Sequence, residues 1–184
     1  MSCLIINSKS KTCADTSKIG GLKGRLWLYN LVAADGAQVV YTQTGNTISD
    51  IAFGGTDKLF EVDGEKFAHN FAFAGAVPGI NKYYTQGGTI KTIVSSDDDI
   101  EWLDQVFKAS AIGAIYEDLN GEFIVLGAFN GLKATEGDMF DSGTEDSAEV
   151  GTTITFAGQE NKSFQKFFEY ALLMNGWMHS IDPR

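Results

Sequence analysis

The side chains able to do covalent or metal chemistry are few and scattered. Of the two histidines, His69 lies among phenylalanines in an alternating run and reads as an interior or interface side chain, not a base. His179 has no partner nearby in sequence. Cys3 and Cys13 both fall in the N-terminal segment. They read as reduced thiols, with a small disulfide loop as the other reading. Joined to two histidines at no finger spacing, they make a poor zinc site. The 24 carboxylates leave a paired-acid hydrolase open by count, but they gather in loops and caps, where solvation accounts for them. Asp138, Asp141, Glu145 and Asp146 could gather calcium, yet their spacing lacks the central Gly and final Glu of a calcium loop. They read as a solvated or subunit-contacting loop. No Gly-Lys-Ser/Thr follows a Gly-rich turn, and no strand–helix–strand order frames a dinucleotide fingerprint. The chain is read as a non-enzyme with no cofactor and no metal.

The elements that carry these residues follow from composition and periodicity. A chain of 184 residues with 43% hydrophobic content suits one domain with its own core. Gly is abundant at 21 and Pro scarce at 2, the balance of a protein of hairpins. The net charge of −10 repels phosphates, so neither nucleic acid nor an anionic membrane is gripped by the general field. It leaves open an acidic surface past which DNA slides. No stretch approaches the roughly 18 apolar residues of a membrane span, and the apolar run at the N-terminus is too short for a signal peptide. The expected place is therefore the cytoplasm, or release by lysis.

Residues 1–18, rich in Ser, Thr and Lys, read as an extended N-terminal arm. Lys23 to Asn30 alternates, with Arg25, Trp27 and Tyr29 on one face and Leu26 and Leu28 on the other, as a strand does. Gln38 to Thr42 and Thr47 to Phe53 read as strands around Gly45-Asn46. Lys58 to Val62 and Glu65 to Ala76 flank Asp63-Gly64, a hairpin signal. In the second arm Phe67, His69, Phe71 and Phe73 share one face. Ala68, Asn70, Ala72 and Ala74 share the other, which is small and flat enough for a second surface to approach, or simply faces solvent or a covering helix. Tyr83 to Val94 reads as a strand bent or bulged at Gly87-Gly88. Asp97 to Ser110 reads as a helix with acids at its start and Ile100, Leu103, Val106 and Phe107 on its packing stripe. Ile112 to Asp118 and Glu122 to Phe129 surround Asn120-Gly121, the strongest hairpin signal in the chain. Asn130-Gly131 turns into Leu132 to Thr135. Gly137 to Glu149 reads as an exposed acidic loop, and Glu149 to Ala157 as a strand with Val150, Thr152, Ile154 and Phe156 on one side. Phe164, Phe167, Phe168, Ala171 and Leu172 have helical spacing, stopped at Asn175-Gly176. The tail with Trp177 and Met178 is apolar enough to dock on this subunit or a neighbour.

One stretch has the look of a family. It runs from the strand ending Tyr116-Glu117-Asp118 through Asn120-Gly121, Phe123 to Leu126-Gly127 and Asn130-Gly131-Leu132. It continues through the polar loop with Ser142-Gly143 to the strand closing Phe156-Ala157-Gly158-Gln159-Glu160. With the upstream helix and the opening Gly20-Gly21-Leu22-Lys23, it resembles tail tube (major tail) proteins of bacteriophages of Bacteroidetes-type hosts, over about two-thirds of the chain. The resemblance implies a mainly β fold: an antiparallel β-sandwich or barrel over 19–160, flanked by helix 97–110, with a C-terminal helix and tail over 161–184. It implies a virion protein assembled in the host cytoplasm, six copies to a ring and rings stacked into a tube. Its partners would be itself, other tail proteins, and double-stranded DNA passing an acidic lumen without specific binding, with no membrane. Asp138, Asp141, Glu145, Asp146, Ala68, Ala72, Ala74, Trp177 and Met178 are the candidate inter-subunit residues. Other readings are a head–tail connector or decoration protein, and a small-molecule-binding β-barrel whose pocket the thirteen Phe would line.

Overall fold

The structure, a computed structural model, describes residues 22–54, 57–63, 69–76, 83–92, 96–141, 151–162 and 165–167. Eleven strands and one helix occupy them. In chain order they are β1 (Leu22–Asn30), β2 (Val40–Thr44), β3 (Thr47–Ala52), β4 (Phe60–Asp63), β5 (Asn70–Ala76), β6 (Tyr83–Thr92), α1 (Asp97–Lys108), β7 (Ile112–Asp118), β8 (Phe123–Leu126), β9 (Lys133–Asp141), β10 (Gly151–Glu160) and β11 (Gln165–Phe167). A seven-stranded sheet runs β2-β3-β11-β8-β7-β1-β4 and a four-stranded sheet runs β5-β6-β10-β9. Every pairing is antiparallel except that of β11 with β3.

Alternation in β1 sends its two faces into two different cores. Leu26 and Leu28 join Ala114, Tyr116, Ile124 and Leu126 of the large sheet, Ile90, Ile154 and Phe156 of the small one, and Leu103 of α1. Trp27 and Tyr29 join Ile115, Phe123 and Val125 on the opposite face, closed by Ile48, Ile51 and Leu59. Strands buried on both faces read as unbroken apolar runs, as Ile112–Tyr116 and Phe123–Leu126 do. The second core exists because the large sheet coils on itself. β2 and β1 stand first and sixth in its order, yet Tyr41 and Tyr29 meet hydroxyl to hydroxyl at 3.1 Å. The coil stops short of a barrel. Between β1 and β2 there is a single bridge, Val32 with Gln38, framed by two bonds, Val39 N to Leu31 O at 3.0 Å and Ala33 N to Ala37 O at 2.8 Å, with no ladder beyond.

Several expectations need correction. Of the strands on either side of Asp63-Gly64, β4 pairs with β1 in the large sheet and β5 with β6 in the small one, while residues 64–68, where that hairpin would close, lie outside the described residues. The chain changes sheets there. Gly87 and Gly88 make no bend, since both ladders of β6 run through them in register. They are glycines for closeness: a Cβ on Gly88 would stand 2.5 Å from Asn70 O and 2.7 Å from the Tyr116 hydroxyl. The first part of the supposed loop at 137–149 is strand, as β9 runs to Asp141 against β10. The C-terminal helix fails at its start, where Gln165–Phe167 is a strand between β3 and β8. On α1 Leu103 is buried and Trp102 and Val106 pack on the core, while Ile100 and Phe107 are exposed. The arm at 1–18 and residues 168–184 lie outside the described residues.

Two turns are built as read. Gly121 takes φ 78°, and Asp118 Oδ1 accepts from Asn120 N at 2.8 Å and Glu122 N at 2.7 Å, closing the β7–β8 hairpin. At α1, Ser96 Oγ accepts from Asp99 N at 3.2 Å and Ser96 N donates to Asp99 Oδ2 at 3.0 Å, a complete capping box.

Candidate functional site: the four-stranded sheet and its latch

Among the described residues the small sheet is packed on one side only. Its inner line carries Phe71, Ile90, Ile154 and Phe156, and register places Ala72 beside Gly87, Ala74 beside Thr85, and Thr89 beside Thr155 on the outer line. That outer face is flat and built from small side chains. Among the described side chains its charges are Lys91, and Lys133 and Glu136 at the β9 edge. The strand β5, Asn-Phe-Ala-Phe-Ala-Gly-Ala, has β6 as its one ladder partner among the described residues and carries no charge and no Pro. Such an edge is open to another strand.

Of the candidate inter-subunit residues, Ala72 and Ala74 are exposed on β5. Asp138 and Asp141 belong to β9, not to a loop. β5 and β9 are opposite edges of the sheet, so the fold separates the two groups by its whole width. Ala68, Glu145, Asp146, Trp177 and Met178 lie outside the described residues. His69 is buried, as its place among phenylalanines implied, and its Nδ1 accepts from Lys91 N at 3.2 Å. Phe73 keeps the face it shares with Phe71, opposite Gln86, but is 44% exposed.

The residues that sequence reading missed are Gln86, Glu160 and the Tyr29–Tyr41 pair. Gln86 and Glu160 reach from the small sheet to hold the bend 127–130, which carries the chain from the large sheet to β9. Gln86 Oε1 accepts from Gly127 N at 2.9 Å and its Nε2 donates to Lys162 O at 3.2 Å. Glu160 Oε1 accepts from Phe129 N at 3.0 Å and Asn130 N at 2.9 Å. Asn130 Nδ2 returns a bond to Gln159 O at 2.8 Å. Glu160 is 2% exposed, and its Oε2 makes no hydrogen bond among the described residues. The signal was there in alternation: Thr152, Ile154, Phe156 and Gly158 point inward, and the next inward position is Glu160. Burial raises the Tyr29 phenol well above its ordinary value, helped by Tyr41 and the Glu160 charge. It pushes Tyr41 up to about 12, the bond to Tyr29 pulling the other way and Glu160 adding to the rise.

What the described residues of this arrangement offer is a fixed surface. An open depression of about 440 Å³ is lined by Asn30, Val32, Asp104, Gln105, Lys108 and the link 109–111 between α1 and β7, with none of the Phe. No group of three His, Cys, Asp or Glu able to hold a metal occurs among the described residues. None of their helices is long and apolar enough to cross a membrane. The chain is mainly β, and its described residues form two sheets and a helix. Set against family models, curated proteins and solved structures, it matches none.

Proposed function

We propose that the protein is a structural virion subunit that self-assembles into rings, six copies to a ring and rings stacked into a phage tail tube through which DNA passes. The observation that carries the reading is the four-stranded sheet, bare and flat on one face and ending in an uncharged edge strand, in a protein of net charge −10. Copies so strongly like-charged meet most favourably where no charge is presented. Side-by-side placement of such sheets around an axis would remove their edges from solvent. The outer face, of methyls and hydroxyls with Lys91 among them, gives passing DNA few points of attachment. The resemblance of residues 111–160 to tail tube proteins points the same way. A ligand-binding barrel draws less support, because Phe71, Phe123 and Phe156 pack into the cores and do not line the open depression.

Negative-stain electron microscopy of the purified chain at low and high concentration tests the reading. Rings with a central hole, or tubes of stacked rings, are expected. A uniform monomer at every concentration overturns it.

A further inference from the structure

The edges of the two sheets are not alike. β9 carries Lys133 and Glu136 and is irregular in register at two places against β10. β4 carries Glu61, held by Arg25 at 3.2 Å. Charges and bulges of this kind keep other strands away. β5 has neither, and it runs in unbroken register with β6 over all seven residues. Its own sequence is self-complementary. If two copies pair antiparallel over the full strand, the centre falls at Phe73. Ala72 then faces Ala74 of the other copy, Asn70 faces Ala76, and Phe71 faces Gly75. The last pair matters most. No heavy atom lies within 4 Å of where a Cβ on Gly75 would stand, so a notch opens on the same side of the strand as the Phe71 ring. The Phe71 ring itself packs on Tyr116, with ring centroids 5.6 Å apart, so the notch at Gly75 leaves room for the other copy's strand to come close. A strand without charge is also where two chains of net charge −10 repel least.

We propose that β5 pairs antiparallel with β5 of a second copy about a two-fold axis at Phe73, and that this dimer withholds the strand from ring growth. The dimer stands on the geometry of β5 alone; its role as a store rests on the assembly reading above. A two-fold contact closes on itself, whereas ring growth needs a head-to-tail contact, so one edge cannot serve both at once.

Light scattering on the full chain, at concentrations below those at which rings form, is expected to give twice the 19.9 kDa of one copy. With Cys3 and Cys13 replaced by Ser, the double variant Ala72→Cys, Ala74→Cys is expected to form a covalent dimer on mild oxidation, and Ala72→Cys alone is not. Gly75→Lys puts a cation in an open notch at no cost to the monomer fold. It is expected to raise the dimer dissociation constant about tenfold or more with unchanged circular dichroism and to hinder ring growth on the same strand, whereas reducing the 72–74 crosslink is expected to increase rings seen by microscopy. Rings without the 72–74 crosslink overturn the dimer and leave the assembly reading standing. A crosslinked dimer that yields no rings after reduction, at low or high concentration, keeps the pairing and overturns both its role as a store and the assembly reading. A monomer with no crosslink overturns the pairing outright.

Discussion

Glu160 has no cation beside it among the described residues, yet its charge is partly answered by two backbone amides that have nowhere else to go. Removing it and removing its charge should therefore differ. Glu160→Ala strands the amides of Phe129 and Asn130 and should cost about 2–5 kcal/mol. Glu160→Gln keeps an accepting oxygen and takes a charge out of the interior, so its cost should stay within about 1 kcal/mol. Urea unfolding midpoints of the two variants make the comparison. The phenols supply a second test. An unfolded tyrosine ionises near pH 10, but Tyr41 in the fold does so only at about 12, and buried Tyr29 and Tyr116 are also raised. Between those values the folded chain holds more protons than the unfolded one. Stability is full below about pH 10 and falls as pH climbs through the folded values. Tyrosinate absorbance should therefore rise together with loss of structure above pH 10. Gradual ionisation of all six tyrosines from an intact fold would contradict this. At this scale the sequence showed its apolar residues well. His69, Gln86 and Glu160 are buried by strand parity, and only His69 had conspicuous aromatic neighbours.

Among elements, those fixed by local rules were legible. The β7–β8 hairpin follows from Asn120-Gly121 and the Asx turn of Asp118, and α1 from its capping box. Ser96→Ala should lower the melting free energy by about 1 kcal/mol, since it removes the acceptor for Asp99 N. Leu103→Ala should cost about 2–5 kcal/mol, because Leu103 is the one helix residue fully sealed in the inter-sheet core. Thermal unfolding of both variants orders the two effects. A larger loss at the cap than at Leu103 would mean that α1 is held by its own propensity and not by docking. What could not be read were pairings between distant segments. β4 finds its partner in β1, far from it in sequence. Phe164 and Phe167 have helical spacing, yet 165–167 fills a gap between β3 and β8, where Lys166 also reaches Glu122 at 2.9 Å. Two open ladders outweigh a helical period in a short segment. The glycines of β6 looked like a bulge because the backbones they admit, Asn70 O and Phe156 O, belong to strands far away in sequence.

For the whole molecule, the balance between repulsion and contact sets the state of association. The chain carries 14 basic and 24 acidic side chains, while the outer face of the small sheet and the strand β5 present few charges. If copies join through those surfaces, charge acts only against assembly, as a long-range repulsion to be overcome. Raising ionic strength from about 10 mM to about 150 mM shortens the screening length from about 30 Å to about 8 Å. Association should then strengthen with salt and go on strengthening in sulfate, which also favours burial of apolar surface. Sedimentation velocity at fixed protein concentration across that range provides the measurement. The opposite trend, complexes that come apart as salt rises, would mean that ion pairs hold the copies together. The contact would then have to be sought at the charged edges, β4 and β9, and not at β5.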